Sequence, residues 1–236
     1  MRRTRITAPI GAALVALTVA VPFALDSAEA GKSRLLGAAS PARPTCPQNC
    51  TVEASVTGFQ TAIKGRKRPF VVPSAGRIIA WSIKLGKPTK TDRRFFNREF
   101  GGAKARLSIL KPVRGKKKGK LRYRLRRQGP LVKLAPFFGE IATFSLPRAL
   151  EVRKGNIVAL TIPTWAPAFA ERQGAKSRWQ ASRVPKKGGC FAGKDSANVN
   201  AGAAHTKRGS ERPYRCRYLG SRLLYSARFV PHRKKG

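Results

Sequence analysis

Acidic residues are what this chain most lacks: ten Asp and Glu stand against fifty Lys and Arg in 236 residues, a formal charge of +40. So few acids exclude internal neutralisation of the cations, and a folded domain with such a field attracts polyanions. Histidine is equally scarce. With only His205 and His232, the latter in a basic tail, and no nucleophile-elbow pattern, a Ser-His-Asp arrangement has no support. Glu140, Glu151 and Glu171 share no pattern that would set two carboxyl groups across one cleft. A secreted hydrolase is therefore the weakest functional reading. The four cysteines form no C-x-x-C, and neither histidine sits at zinc-finger spacing, so neither metal nor cofactor is expected. Beyond the N-terminal segment no stretch keeps a 3.6-residue apolar period over three turns, which argues against a helical architecture.

One long apolar run is present, from about Ile10 to Leu25, and it follows Arg2, Arg3 and Arg5. Ala28-Glu29-Ala30 then places small residues where a signal peptidase reads, so residues 1–30 are expected to be a cleaved secretory signal. The run contains Pro22 and is short for a bilayer, so no stable membrane span is expected after cleavage. Cleavage takes three of the fifty bases and two of the ten acids, leaving +39 on the exported chain. Residues 31–45, small and Pro- and Ala-bearing, read as a flexible linker, and residues 232–236 as a basic tail. Between them, 46–231 suits a single β-sandwich domain large enough to bury its own core.

In an exported chain Cys46, Cys50, Cys190 and Cys216 read as two disulfides. Three pairings are open. Closing the short loop first favours Cys46–Cys50 with Cys190–Cys216. The second bridge would contribute about 3 kcal/mol on the chain-entropy account.

Short alternating runs recur between Gly, Pro or charged breaks. Ile79, Trp81, Ile83 and Leu85 share one face of a strand, and Val158, Leu160 and Ile162 share another. The clearest case is Leu121, Tyr123 and Leu125 opposing Arg122, Arg124 and Arg126, with period two and a cationic outer side. About nine such runs separated by turns predict an all-β, antiparallel sandwich with long loops.

Three segments carry a resemblance: Pro73-Ser74-Ala75-Gly76-Arg77-Ile78-Ile79-Ala80-Trp81, then Arg106-Leu107-Ser108-Ile109-Leu110-Lys111-Pro112, then Leu150-Glu151-Val152-Arg153-Lys154-Gly155-Asn156-Ile157-Val158-Ala159-Leu160. Their order resembles that of secreted jelly-roll-like β-sandwich proteins of high-GC Gram-positive soil bacteria. The resemblance spans about residues 50 to 165. It implies a jelly-roll-like fold and carries over no catalytic residue.

The densest charge lies between Lys111 and Arg127. A hairpin there would set Arg114, Lys116, Lys117, Lys118 and Lys120 beside Arg122, Arg124 and Arg126, a compact anion-binding surface. The bland alternative is a solvated face. Trp165, between Pro163 and Pro167, is a candidate for stacking on a sugar, and Phe95, Phe96 and Phe100 read as a loop-like aromatic group; the alternative is that these rings cap the core. The functional expectation is a secreted, non-enzymatic protein held electrostatically on an anionic polymer of the cell wall or extracellular space. A lectin-like module and an extracellular nucleic-acid binder are the alternatives. Oligomeric state is left open.

Overall fold

The computed structural model describes residues 32–37, 42–114, 121–184, 190 and 204–233. The expected signal peptide, residues 1–30, lies outside them. Fifteen strands and one α-helix are present among the described residues: β1 (Arg34–Gly37), β2 (Glu53–Ile63), β3 (Arg66–Lys67), β4 (Gly76–Lys84), α1 (Lys90–Phe100), β5 (Lys104–Arg114), β6 (Leu121–Gln128), β7 (Val132–Lys133), β8 (Ile141–Val152), β9 (Ile157–Ala166), β10 (Phe169–Ala170), β11 (Arg178–Ala181), β12 (Glu211–Pro213), β13 (Cys216–Leu219), β14 (Arg222–Leu223) and β15 (Tyr225–Pro231). No helix among them is long and apolar enough to cross a membrane.

Pairing is nested. β1 pairs with β15, β2 with β9, β4 with β8 and β5 with β6, all antiparallel. Counting these eight strands along the chain, first pairs with eighth, second with seventh, third with sixth and fourth with fifth. A folded ribbon with that nesting is a jelly roll. It yields one sheet ordered β1-β15-β4-β8 and a second containing β6-β5-β9-β2. The larger sheet curls into a half-barrel. The segment between β9 and β15 extends it, with β11 and β13 continuing beyond β2 and β12 closing the other side against β6.

Two expectations are corrected. Residues 34–37 fall in the stretch read as a linker, yet they are the first jelly-roll strand. Gly37 makes this docking feasible: its φ is +81°, and a Cβ there would sit 2.2 Å from the Phe70 ring. Phe70 itself stacks on Tyr225 of β15 at 4.2 Å. The loop-like aromatic group is instead the helix α1. Thr89 and Asp92 form a reciprocal capping box, with the Asp92 amide donating to Thr89 Oγ1 (3.1 Å) and the Thr89 amide to Asp92 Oδ2 (3.0 Å). Phe96 and Phe100, one turn apart, then pack on the core.

Trp81, Ile83 and Leu85, with Leu107, Ile109, Val158, Leu160 and Ile162 of the facing sheet, are buried as the alternating pattern requires. Ile79, however, is only half-buried and Ile78 takes the core position, because the register shift of the β4–β8 ladder falls at Ile79 and reverses the phase of the strand. The cysteines pair as Cys46–Cys50 and Cys190–Cys216, with Cα separations of 4.0 and 5.4 Å.

Candidate functional site

β6 buries Tyr123 and Leu125, while Arg122 and Arg124 are half-exposed and Arg126 is exposed. The two half-exposed arginines are not free. Arg124 donates through Nε (2.9 Å) and Nη2 (2.5 Å) to Glu211 Oε1 on β12, and Arg122 Nη2 donates to the Glu211 carbonyl at 3.0 Å. Glu211 thus neutralises part of the face that periodicity alone assigned to anions. Lys116, Lys117, Lys118 and Lys120, with the side chain of Arg114, lie outside the described residues. The flanking strands do pair antiparallel as far as Arg114 and Leu121.

Two irregularities redirect the remaining cations. In the β5–β6 ladder Ile109 faces Arg127 while Leu110 faces Leu125, so Arg126 is an extra residue. That bulge reverses the phase of the strand, and Arg127 leaves the face held by Tyr123 and Leu125. In the β4–β8 ladder Ile78 faces Leu150 and Ala80 faces Ser145, which sets four residues of β8, Leu146 to Ala149, against Ile79 alone. The bulge contains Pro147, which donates no ladder hydrogen bond, and it turns Arg148 outward on an edge strand.

Between these bulges lies a groove of about 520 Å³ at the margin of the two sheets. Arg127, Arg148 and Arg208 line it, with Pro130, Pro147 and Leu150 as its apolar surface. Among the described residues no carboxylate and no aromatic ring lines it. None of the three arginines forms an ion pair with a described residue, whereas Glu53, Glu99, Glu151 and Glu211 are each paired elsewhere. Gly129, at the edge of the groove, packs closely on Leu146: a Cβ there would lie 3.0 Å from Leu146 Cδ2.

Arg208 reaches the groove on a strap, residues 204–213, laid over β6 and β2. Gly209 donates to the Leu125 carbonyl (2.8 Å), Leu125 donates to Ser210 (3.0 Å), and Arg208 Nε donates to the Arg126 carbonyl (3.1 Å). His205, fully buried, anchors the far end, its amide donating to Thr57 Oγ1 at 2.9 Å. Ser210 Oγ donates to the Lys207 carbonyl (2.6 Å), so it accepts from His205 Nε2 at 3.0 Å. His205 Nδ1 then accepts from the Tyr214 hydroxyl at 3.2 Å, which fixes a neutral imidazole protonated on Nε2. Burial pushes the His205 pKa below its ordinary value, against the pull of the Ser210 carbonyl. Burial likewise pushes the Tyr214 hydroxyl far up, so it stays a donor.

Trp165, the stacking candidate, is corrected. Its ring is fully buried between Phe96 (5.0 Å) and Phe138 (5.5 Å), and its Nε1 donates to Asn97 Oδ1 at 3.0 Å. It has no face to offer a sugar. Glu53 is also committed internally: Arg183 Nη2 donates to its Oε2 at 3.0 Å while Arg183 Nη1 donates to Tyr218 at 3.0 Å.

Arg127, Arg148 and Arg208 were not among the anion-binding residues expected from the sequence. Pro147 reads there as the end of a strand, which hides Arg148. Lys207-Arg208-Gly209 is a basic turn signal that no sequence-based expectation used, and nothing local says which surface it joins. No protein-family model, curated protein or solved structure matches the chain.

Proposed function

We propose that this protein is exported and attaches electrostatically to an anionic polymer of the cell envelope or its surroundings, without catalysing a reaction. One observation carries the reading: three exposed arginines line a single groove that no carboxylate lines among the described residues. In a chain with so few acids, this leaves an uncompensated positive potential at a concave surface, where field lines concentrate. Exposed Arg126 adjoins it through the bond between its carbonyl and Arg208. The signal-like N-terminus and the two disulfides favour an oxidising compartment outside the cytoplasm. With Trp165 buried, no observation favours the lectin-like alternative.

The test is cosedimentation of the mature protein with isolated cell walls. Binding is expected at about 0.1 M NaCl and release at about 0.5 M, where screening shortens the reach of surface charges to a few ångströms. Retention at high salt overturns the electrostatic reading. Duplex DNA added as competitor separates the nucleic-acid alternative, which shares the salt dependence: DNA that strips the protein from walls at equal phosphate concentration contradicts envelope attachment.

A further inference from the structure

We propose that the groove binds a phosphate ester carried on a sugar or polyol unit, an inference that rests on the polyanion reading above and names the group recognised. Three guanidinium groups line one cavity. A carboxylate presents its two oxygens in one plane, whereas a phosphate ester spreads its oxygens tetrahedrally, so guanidinium groups can approach it from several directions at once. Three forks therefore match phosphate better. Arg208 is held for this purpose: its Nε is occupied by the Arg126 carbonyl, which orients the guanidinium.

The rest of the lining sets what carries the phosphate. Pro130, Pro147 and Leu150 present aliphatic carbon, suited to the C–H face of a sugar or polyol. No described residue gives the lining an aromatic ring on which a nucleobase could stack, and stacking is what single-stranded nucleic-acid sites rely upon. A volume of about 520 Å³ takes one such unit with part of its neighbour.

The experiment is a titration of the mature, disulfide-bonded protein with fluorescent poly(glycerol phosphate) at about 0.15 M NaCl, where exposed charges more than a Debye length apart are largely screened. Glucose 1-phosphate, oligogalacturonate and oligo(dT) serve as competitors. Arg148→Ala is expected to weaken binding about tenfold or more, as for loss of hydrogen bonds to a charged group. Arg148→Lys keeps the charge but loses the fork and is expected to fall between the two. Arg148 is exposed and forms no ion pair with a described residue, so both variants should fold; Arg178→Ala, on β11 at the other side of the sheet, serves as the matched loss of charge and is expected to stay within about twofold of wild type. Displacement by glucose 1-phosphate shows that a single sugar phosphate suffices; Arg148-dependent binding without it shows that a polymer repeat is read. If polymer binding is salt-sensitive but Arg148→Ala matches Arg178→Ala, the groove is not the site, and the general attachment stands. Equal competition by oligogalacturonate overturns the phosphate assignment, and equal competition by oligo(dT) overturns the preference for a carrier without a nucleobase. If wild type binds no polyanion at all, the function proposed above fails with it.

Discussion

Glu211 lies across the β6–β12 pair from Arg124 and takes two of its donors, with Arg122 held by the same residue. Its charge offsets that of two arginines on the half-exposed side of β6. Glu211→Gln preserves the size of the side chain and removes the charge that offsets Arg124 and Arg122, while the Arg122 bond to the backbone carbonyl remains. Affinity for poly(glycerol phosphate) is expected to rise severalfold, while stability in urea changes by less than about 1 kcal/mol because the pair is substantially exposed. A fall in affinity contradicts this role. Trp165 behaves in the opposite way. As a fully buried ring between Phe96 and Phe138, its replacement by Ala is expected to cost about 3–5 kcal/mol in denaturant unfolding. Binding by the protein that remains folded should be unchanged, whereas loss of binding with stability intact would restore a ligand-stacking role. Sequence placed Trp165 in a proline-flanked loop, and nothing local revealed that α1 would cover it.

The 204–213 strap is the element whose behaviour depends on pH. His205 is neutral and buried, with its Nδ1 accepting from Tyr214 and its Nε2 donating to Ser210. The folded state binds the His205 proton less readily than the unfolded chain does, because its pKa is lowered. Stability is therefore full above the unfolded value of about 6.5 and is lost as pH falls from there through the lower folded pKa. Unfolding midpoints of wild type and His205→Gln, compared between about pH 7.5 and 5, isolate the contribution: wild type is expected to lose more stability on acidification. Parallel profiles would contradict it. The amphipathic character of β6 was plain from Leu121 through Arg126, because a period of two survives any tertiary arrangement that keeps one face buried. Its bulge at Arg126 was not plain, because it arises from pairing with β5, and so nothing local showed which side Arg127 would take. The same holds for β8, where Pro147 marks a bulge within a strand rather than its end. The capping box of α1, Thr89 and Asp92, was present in the sequence but lay ahead of a run too short and too charged to show a helical period.

At the scale of the whole molecule, the jelly-roll nesting brings Gln128–Pro130 on one sheet beside the bulge of β8 on the other, and the long insertion between β9 and β15 returns Arg208 to the same margin. All-β architecture and disulfide pairing followed from alternation and cysteine spacing. The site did not, because its three arginines are separated by 21 and 60 positions and meet only through strand order. A charge of +40 distributed over the chain becomes specific where acids are excluded, and the groove is such a place. The most direct measurement is the slope of log affinity against log salt for poly(glycerol phosphate), taken for wild type and for the Arg127→Ala/Arg148→Ala/Arg208→Ala variant. The groove account predicts a steep slope that drops by roughly two to three units in the variant, as each arginine stops displacing a counterion. An unchanged slope, with the variant folded, would contradict it.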